Sequence, residues 1–245
     1  MYDNFANVYD SLTLDVDYKK RTEYLLSLFE KFDKKPTLLL DLACGTGGFS
    51  FEMAKKGISV IGVDISEEML AKAKEKQANE DVLFLCQDAT ELDLYGTVDG
   101  AICCLDSLNH ITDYNDFATA LSKVSLFLEK DRLFIFDMNT EYKHKEILGD
   151  NTFVFEDENL YCVWQNEYSE KDKTVEIFLD FFQCKENGLY ERCSEYITER
   201  AYTDAQIKAS LSKANLKIEA VFEEQSFKSP TEKTQRKVYI TRKAE

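Results

Sequence analysis

Prolines are scarce, two in 245 residues, and histidines equally so. With 44% hydrophobic residues, so little proline describes a chain that buries a core, not a disordered or polyproline one. The two histidines, His110 and His144, stand in no ligand spacing with a cysteine pair, so no zinc or other metal site is expected. No C-x-x-C pair occurs, and the seven cysteines (Cys44, Cys86, Cys103, Cys104, Cys162, Cys184 and Cys193) are odd in number. They read as reduced thiols, most of them small core residues. No basic stretch followed by an apolar one opens the chain, and no apolar run reaches bilayer length. The expected compartment is the cytoplasm, with no membrane partner. Positive charge is also short: the formal net charge is −16. Basic residues alternate with acids, as over Lys72 to Lys76, which reads as a solvated helix face. Such a surface repels a phosphate backbone and places nucleic acid low among partners.

What is present centres on Leu38 to Ser50. A short apolar run after Pro36 ends in Asp41, a glycine turn follows (Gly45, Gly47, Gly48), and then Phe49, Met53 and Ala54 recur at helical spacing up to Gly57. Strand, glycine turn and helix make a small-molecule site at the carboxyl end of a parallel strand. Two readings compete. A dinucleotide fingerprint requires G-x-G-x-x-G or A, but here Ser50 takes the last position, and Asp41 would repel a pyrophosphate. The other reading is a nucleoside loop whose acid faces a cation.

That second pattern continues. Ser59 to Val63 reads as a strand ending at Asp64, positioned to accept from two ribose hydroxyls. Ser66 caps a helix with Glu67 and Glu68 in its first turn. Val82 to Cys86 reads as a third strand, followed by Asp88-Ala89. Acids thus close three successive strands, with no phosphate-binding Lys or Arg beside them.

Asp41-Leu42-Ala43-Cys44-Gly45-Thr46-Gly47 and Asp64-Ile65-Ser66-x-x-Met69-Leu70 resemble the motifs of class I methyltransferases that use S-adenosylmethionine. The resemblance covers residues 1 to 140 and the terminal helix-strand-strand. It implies that Asp41, Ala43, Cys44, Gly45 and Gly47 surround the methionine moiety, with Asp41 helping to hold its amino group. It also implies that Asp64 holds the ribose, that Ile65 and Met69 flank the adenine, and that Asp88 and Ala89 read its amino group. Leu105 and Asp106, after the strand Val98 to Cys104, border the cofactor, with Asn109 and His110 toward the acceptor. Phe5 to Asp10 is similar to the segment that folds over the cofactor, which brings Tyr9 to the methyl donor. Tyr9, Asn109 and His110 are the candidate catalytic residues. No Asn-Pro-Pro-Tyr motif follows strand four, where Asp106-Ser107-Leu108-Asn109 stands, which speaks against DNA-base methylation of that type.

Elsewhere, amphipathic helices are expected over Tyr2 to Leu12, Asp17 to Phe32, Tyr114 to Leu128 and Thr203 to Ala214, with a fifth strand at Arg132 to Phe136. Strand and helix alternate five times, giving a doubly wound, Rossmann-like sheet completed to seven strands by an antiparallel pair, Leu216 to Glu223 and Arg236 to Thr241. Between them, Thr152 to Glu156, Leu160 to Ser169, Thr174 to Cys184 and Leu189 to Arg200 read as an antiparallel meander. The division expected is 1–140 with 201–245 as the cofactor-binding unit, and 141–200 as an insert covering the site. Trp164, Tyr168, Phe182, Tyr196 and Arg200 are candidates for that cover. The resulting function is methyl transfer by in-line displacement to a small-molecule acceptor in preference to protein or RNA. The rivals are an NAD-dependent oxidoreductase and a non-catalytic nucleoside-binding protein. The acceptor and the oligomeric state are not specified by the sequence.

Overall fold

The computed structural model describes residues 9, 16–78, 80–157, 159–185 and 187–244. The helix expected over Tyr2 to Leu12 therefore lies outside the described residues, Tyr9 excepted. The first described helix, α1 (Tyr18–Phe32), starts where the Asp17 carboxylate accepts from Lys20 N at 2.9 Å. The body alternates β1 (Leu38–Leu42), α2 (Gly48–Lys55), β2 (Ser59–Asp64), α3 (Glu67–Lys76), β3 (Val82–Cys86), β4 (Gly100–Cys103), α4 (Tyr114–Phe127) and β5 (Leu133–Asn139). The insert is β6 (Thr152–Asp157), β7 (Leu160–Ser169), β8 (Thr174–Cys184) and β9 (Tyr190–Arg200). The chain closes with α5 (Asp204–Lys213), β10 (Leu216–Glu223) and β11 (Arg236–Lys243).

Seven strands form one sheet in the order β10-β11-β5-β4-β1-β2-β3. β1 to β5 are parallel, and β11 runs antiparallel to both β5 and β10. Because side chains alternate faces, Leu40, Phe134 and Phe136 enter the core on one side of the sheet while Leu39, Ile102 and Ile135 enter the other. Helices cover both faces, as near-continuous apolar strands require. The chain order reverses between β1 and β4, so their carboxyl ends open the crevice in which such sheets bind ligands.

The insert is a separate four-stranded sheet, β6-β7-β8-β9. Its inner face (Leu160, Cys162, Val175, Ile177, Leu179, Phe181 and Ile197) clusters with Met69 of α3, with Leu148 and with Tyr9. Strand parity corrects part of the expected cover. Tyr196 pairs with exposed Phe178, and Phe182 pairs with Arg192 and Tyr161, so both lie on the outer face, whereas Trp164 and Tyr168 face inward. Two boundaries also differ. β4 begins at Gly100, since Val98 instead bridges Leu128. After β5 the chain makes a π-helical turn, Lys143–Leu148, that sequence periodicity does not announce. Among the described residues no helix is long and apolar enough to cross a membrane.

Candidate active site

The turn after β1 passes through left-handed backbone at Ala43, Gly45 and Gly47 (φ 56°, 55° and 83°) before α2 begins. Two glycines there have different reasons. Among the described residues, a Cβ on Gly45 would meet nothing within 4 Å. A Cβ on Gly48 would lie 2.4 Å from the Tyr18 ring, which roofs the turn.

Asp41 is 2% exposed and accepts from Ser50 Oγ at 2.5 Å. Burial pushes its carboxyl up to about 7, with the Asp64 charge adding to burial and the Ser50 bonds opposing it. A proton held more tightly in the folded than in the unfolded chain means that stability falls as pH rises from about 4 to about 7. Asp41→Asn is therefore expected to raise the ligand-free Tm above pH 7 by a few degrees and to flatten that pH dependence. Thermal melts of both proteins at pH 5 and 8 check it, and equal slopes would assign the pH response to other groups.

At the end of β2, the Asp64 carboxylate is oriented by two backbone donors, Gly45 N (2.8 Å) and Ser66 N (2.9 Å). Each oxygen keeps a lone pair for another donor. Burial raises its pKa, against those hydrogen bonds. Ile65 is 60% exposed beside it, and Met69 is buried under the insert. At the end of β3, Asp88 accepts from Thr90 N and Oγ1, both at 2.7 Å, with Ala89 half-buried alongside.

A cavity of about 30 Å³ beside the turn after β1 is lined by Tyr9, Tyr18, Asp41, Ala43, Cys44, Gly45, Phe49, Cys104, Leu105 and Ser107, and not by Asp64, Ile65, Met69, Asp88 or Ala89. Six residues marked in the sequence meet there. Tyr18, Phe49, Cys104 and Ser107 were not marked; their apolar or small side chains are indistinguishable from core in sequence. Tyr9 hydrogen-bonds Tyr18, and burial, then Tyr18, Asp106 and Asp64, raise its hydroxyl pKa. Tyr9 thus stays protonated and acts as a donor, not a base. Phe49 and Cys104 also wall a second small cavity with Arg21, Asp137 and Glu224.

Past β4 the backbone takes two successive left-handed residues, Leu105 and Asp106 (φ 55° and 54°). Non-glycine residues rarely hold this conformation. Here their N–H groups converge on the Asp137 carboxylate at 2.9 and 2.7 Å. The Asp106 side chain turns away to Arg236 Nη2 at 3.0 Å and accepts from Asn139 Nδ2. Burial opposes its ionisation, but Arg236 and then Lys143 and His110 hold its pKa down at about 2. Arg236 also reaches Glu224 (3.1 Å), Asn139 Oδ1 (3.1 Å) and Asp137 (3.7 Å).

Asn109 is fully buried, and its amide is engaged with backbone: Nδ2 donates to Arg200 O (2.8 Å) and Asn139 O (3.2 Å), and Oδ1 accepts from Asn139 N (2.9 Å). It ties β9 to the turn after β4, which is a positioning role. His110, half-buried, is the next residue in the turn, and its imidazole favours ionisation of Asp64, Asp106 and Glu199. Glu199 was missed in sequence, although Ile197, two residues before it, marks the inward face. Arg200, its neighbour, donates to Thr112 O at 2.8 Å and sits at the docked end of the insert.

Comparison with known proteins bears on this arrangement. Residues 39–131 match a family model described as a methyltransferase domain. The Bacillus subtilis (strain 168) protein YqeM, whose name places it among methyltransferases, is 31% identical over 248 residues, covering 100% of this chain and 98% of that protein. The crystal structure of an S-adenosylmethionine-dependent methyltransferase from Clostridium acetobutylicum ATCC 824 superposes with a TM-score of 0.88 at 32% identity, covering 100% of this chain and 99% of the other. A glycine/sarcosine N-methyltransferase of Parasynechococcus marenigrum (strain WH8102) is 27% identical over 65% of this chain and 57% of its own.

Proposed function

The chain belongs to the S-adenosylmethionine-dependent methyltransferases, and from that premise we propose that it methylates a small-molecule acceptor in an enclosed site beneath the β insert. The observation that carries this reading is the docking of β9 onto the turn after β4. Asn109 to Arg200 O, Arg200 to Thr112 O and Asn139 to Glu199 close the acceptor side with direct hydrogen bonds. A polymer needs an open groove, and a nucleic acid needs a positive one; this chain carries a net charge of −16. The match to a relative named for glycine and sarcosine supports the same class of acceptor.

The residues fit the cofactor. Asp64 offers two oriented oxygens to the ribose hydroxyls. Ala43, Cys44 and Gly47 shape the turn, Ile65 and Met69 would flank the adenine, and Asp88 and Ala89 would read its edge. Asp41 would hold the ammonium of the methionine moiety, and Arg21, the cation among the described residues lining the two cavities, would hold its carboxylate. S-adenosylmethionine supplies a methyl group already activated by the sulfonium, so the protein forms no covalent intermediate. Its own residues align and enclose. Leu105 and Cys104 wall the reaction end, Asp106 holds that wall through Arg236, and the Tyr9 and Tyr18 rings exclude water. His110 is the candidate base for the acceptor proton.

Two measurements test this. Label from methyl-labelled S-adenosylmethionine, incubated with a bacterial extract, is expected in products below 3 kDa; label confined to macromolecules would overturn the small-molecule reading. In the same assay, His110→Asn is expected to slow turnover by about 100-fold with the affinity for S-adenosylhomocysteine unchanged. Unchanged turnover would remove His110 from the chemistry.

A further inference from the structure

Glu199 is an acid of this site with no counterpart among the sequence motifs. It projects from the inner face of β9, opposite Val175 and two residues beyond Ile197. It is 5% exposed. Its Oε2 accepts two hydrogen bonds, from Asn139 Nδ2 at 2.9 Å and at His144 Nε2, also 2.9 Å. Its other oxygen, Oε1, takes part in no hydrogen bond among the described residues and is not sealed from solvent. Burial and the Asp106 charge resist its ionisation, but the His144 hydrogen bond and the His110 and His144 imidazoles outweigh them, so its pKa is lowered. An ionised carboxylate with one oxygen fixed by the protein and the other open has acceptor capacity left for a donor from outside the protein.

The partners of the bonded oxygen place the side chain. Asn139 Nδ2 bridges Glu199 to Asp106, and His110 acts on both carboxylates. The next residue, Arg200, is bonded to Asn109 and Thr112 on the turn after β4. Glu199 thus lies on the acceptor side of the reaction end, with its used oxygen fixed and its free one available. Asp106 cannot serve the same purpose, because Arg236 and Asn139 already occupy it.

We propose that Glu199 is the specificity-determining residue for the acceptor and that the acceptor is a small cationic nitrogen compound, held by a charge-assisted hydrogen bond from its ammonium to Glu199 Oε1. The inference rests on the small-molecule reading and narrows it. His144, fully buried in the π-helical turn, is a positioning residue for that carboxylate. Asn139 fixes the same oxygen from the body of the protein, so the insert carries the recognising group while the body aims it. Charge-assisted bonds are about twice as strong as neutral ones, and a buried acid that has surrendered its hydration discriminates against a neutral acceptor of the same shape, which would leave it unpaired.

The experiment uses the labelled product below 3 kDa formed by the wild-type protein from a bacterial extract. The product is expected to be retained on a cation exchanger at neutral pH. A small labelled product that passes through overturns this inference alone, whereas label only in macromolecules overturns the reading beneath it. The purified product is then titrated calorimetrically into protein saturated with S-adenosylhomocysteine. Glu199→Gln, which keeps shape and loses charge, is expected to bind it at least tenfold more weakly with S-adenosylhomocysteine affinity unchanged, and Glu199→Asp to restore part of the loss. Equal binding by wild type and Glu199→Gln removes Glu199 from acceptor recognition. The cation-exchange result needs no variant and decides the acceptor class even where Glu199→Gln does not fold.

Discussion

Arg236→Met is expected to destabilise the protein by about 3–5 kcal/mol and to lower its Tm by roughly 10 °C, the largest stability loss predicted from any single site. The guanidinium is 10% exposed and touches three carboxylates, Asp106 (3.0 Å), Glu224 (3.1 Å) and Asp137 (3.7 Å). Removing one cation therefore strands several buried anions, which costs far more than losing an exposed pair, worth about 0–1 kcal/mol. Burial already raises the Asp137 carboxyl against the pull of Arg236. Without Arg236 the cheapest response is protonation of one or more acids, so the loss is expected to shrink as pH falls toward 5. Arg236→Lys keeps a charge but cannot address three acids and the Asn139 carbonyl at once, and an intermediate Tm is expected. Melts of the three proteins at pH 5 and 8 check this. A wild-type Tm for Arg236→Met at pH 8 would mean that the cluster contributes no net stability.

Asp64→Ala is expected to weaken S-adenosylmethionine binding at least 100-fold. In the proposed arrangement two ribose hydroxyls would donate to this carboxylate, contributing about 1.5–3 kcal/mol each, and every 1.4 kcal/mol is about tenfold in affinity. Structurally the change is mild by comparison. The acid is desolvated, which raises its pKa, so its removal relieves a cost while freeing Gly45 N and Ser66 N. Asp64→Asn, with one acceptor oxygen left, falls between. Calorimetric titration with S-adenosylmethionine, S-adenosylhomocysteine and NADH measures the effect. Affinity for the sulfur nucleosides that survives in Asp64→Ala would move the ribose contact elsewhere, and tight NADH binding by the wild type would contradict the assigned cofactor.

The parts of the molecule that could be read from sequence are those in which one local signal suffices. Apolar runs punctuated by Asp41, Asp64 and Cys86 mark parallel strands, and Ser66 and Thr203 mark helix starts that the structure repeats. The glycine turn and the three acids are local too. What stayed hidden depends on pairing across the chain. Arg236 carries the polarity of a surface residue, and its burial is offset by Glu224 together with Asp106 and Asp137, the last two roughly a hundred residues earlier. Glu199 stands in an alternating strand where Tyr196 and Arg200 look more interesting, yet parity alone turns it inward beside Ile197. The residues expected to act divide accordingly. Tyr9 lines the cavity, His110 is electrostatically coupled to the acids, and Asn109 is consumed in holding β9.

The position of Arg236 in the last strand also has a temporal meaning. During synthesis, Asp106 and Asp137 leave the ribosome about a hundred residues before their counterion, a lag on the order of 5–20 s. Throughout that interval the five parallel strands exist without the cation that stabilises the turn after β4. The nascent sheet is electrostatically unfinished, and the antiparallel hairpin β10–β11 completes it as a late clasp. Translation thus ends the reaction centre's assembly from the far edge of the sheet, and a chain interrupted before residue 236 is left with a turn whose two acids lack their arginine.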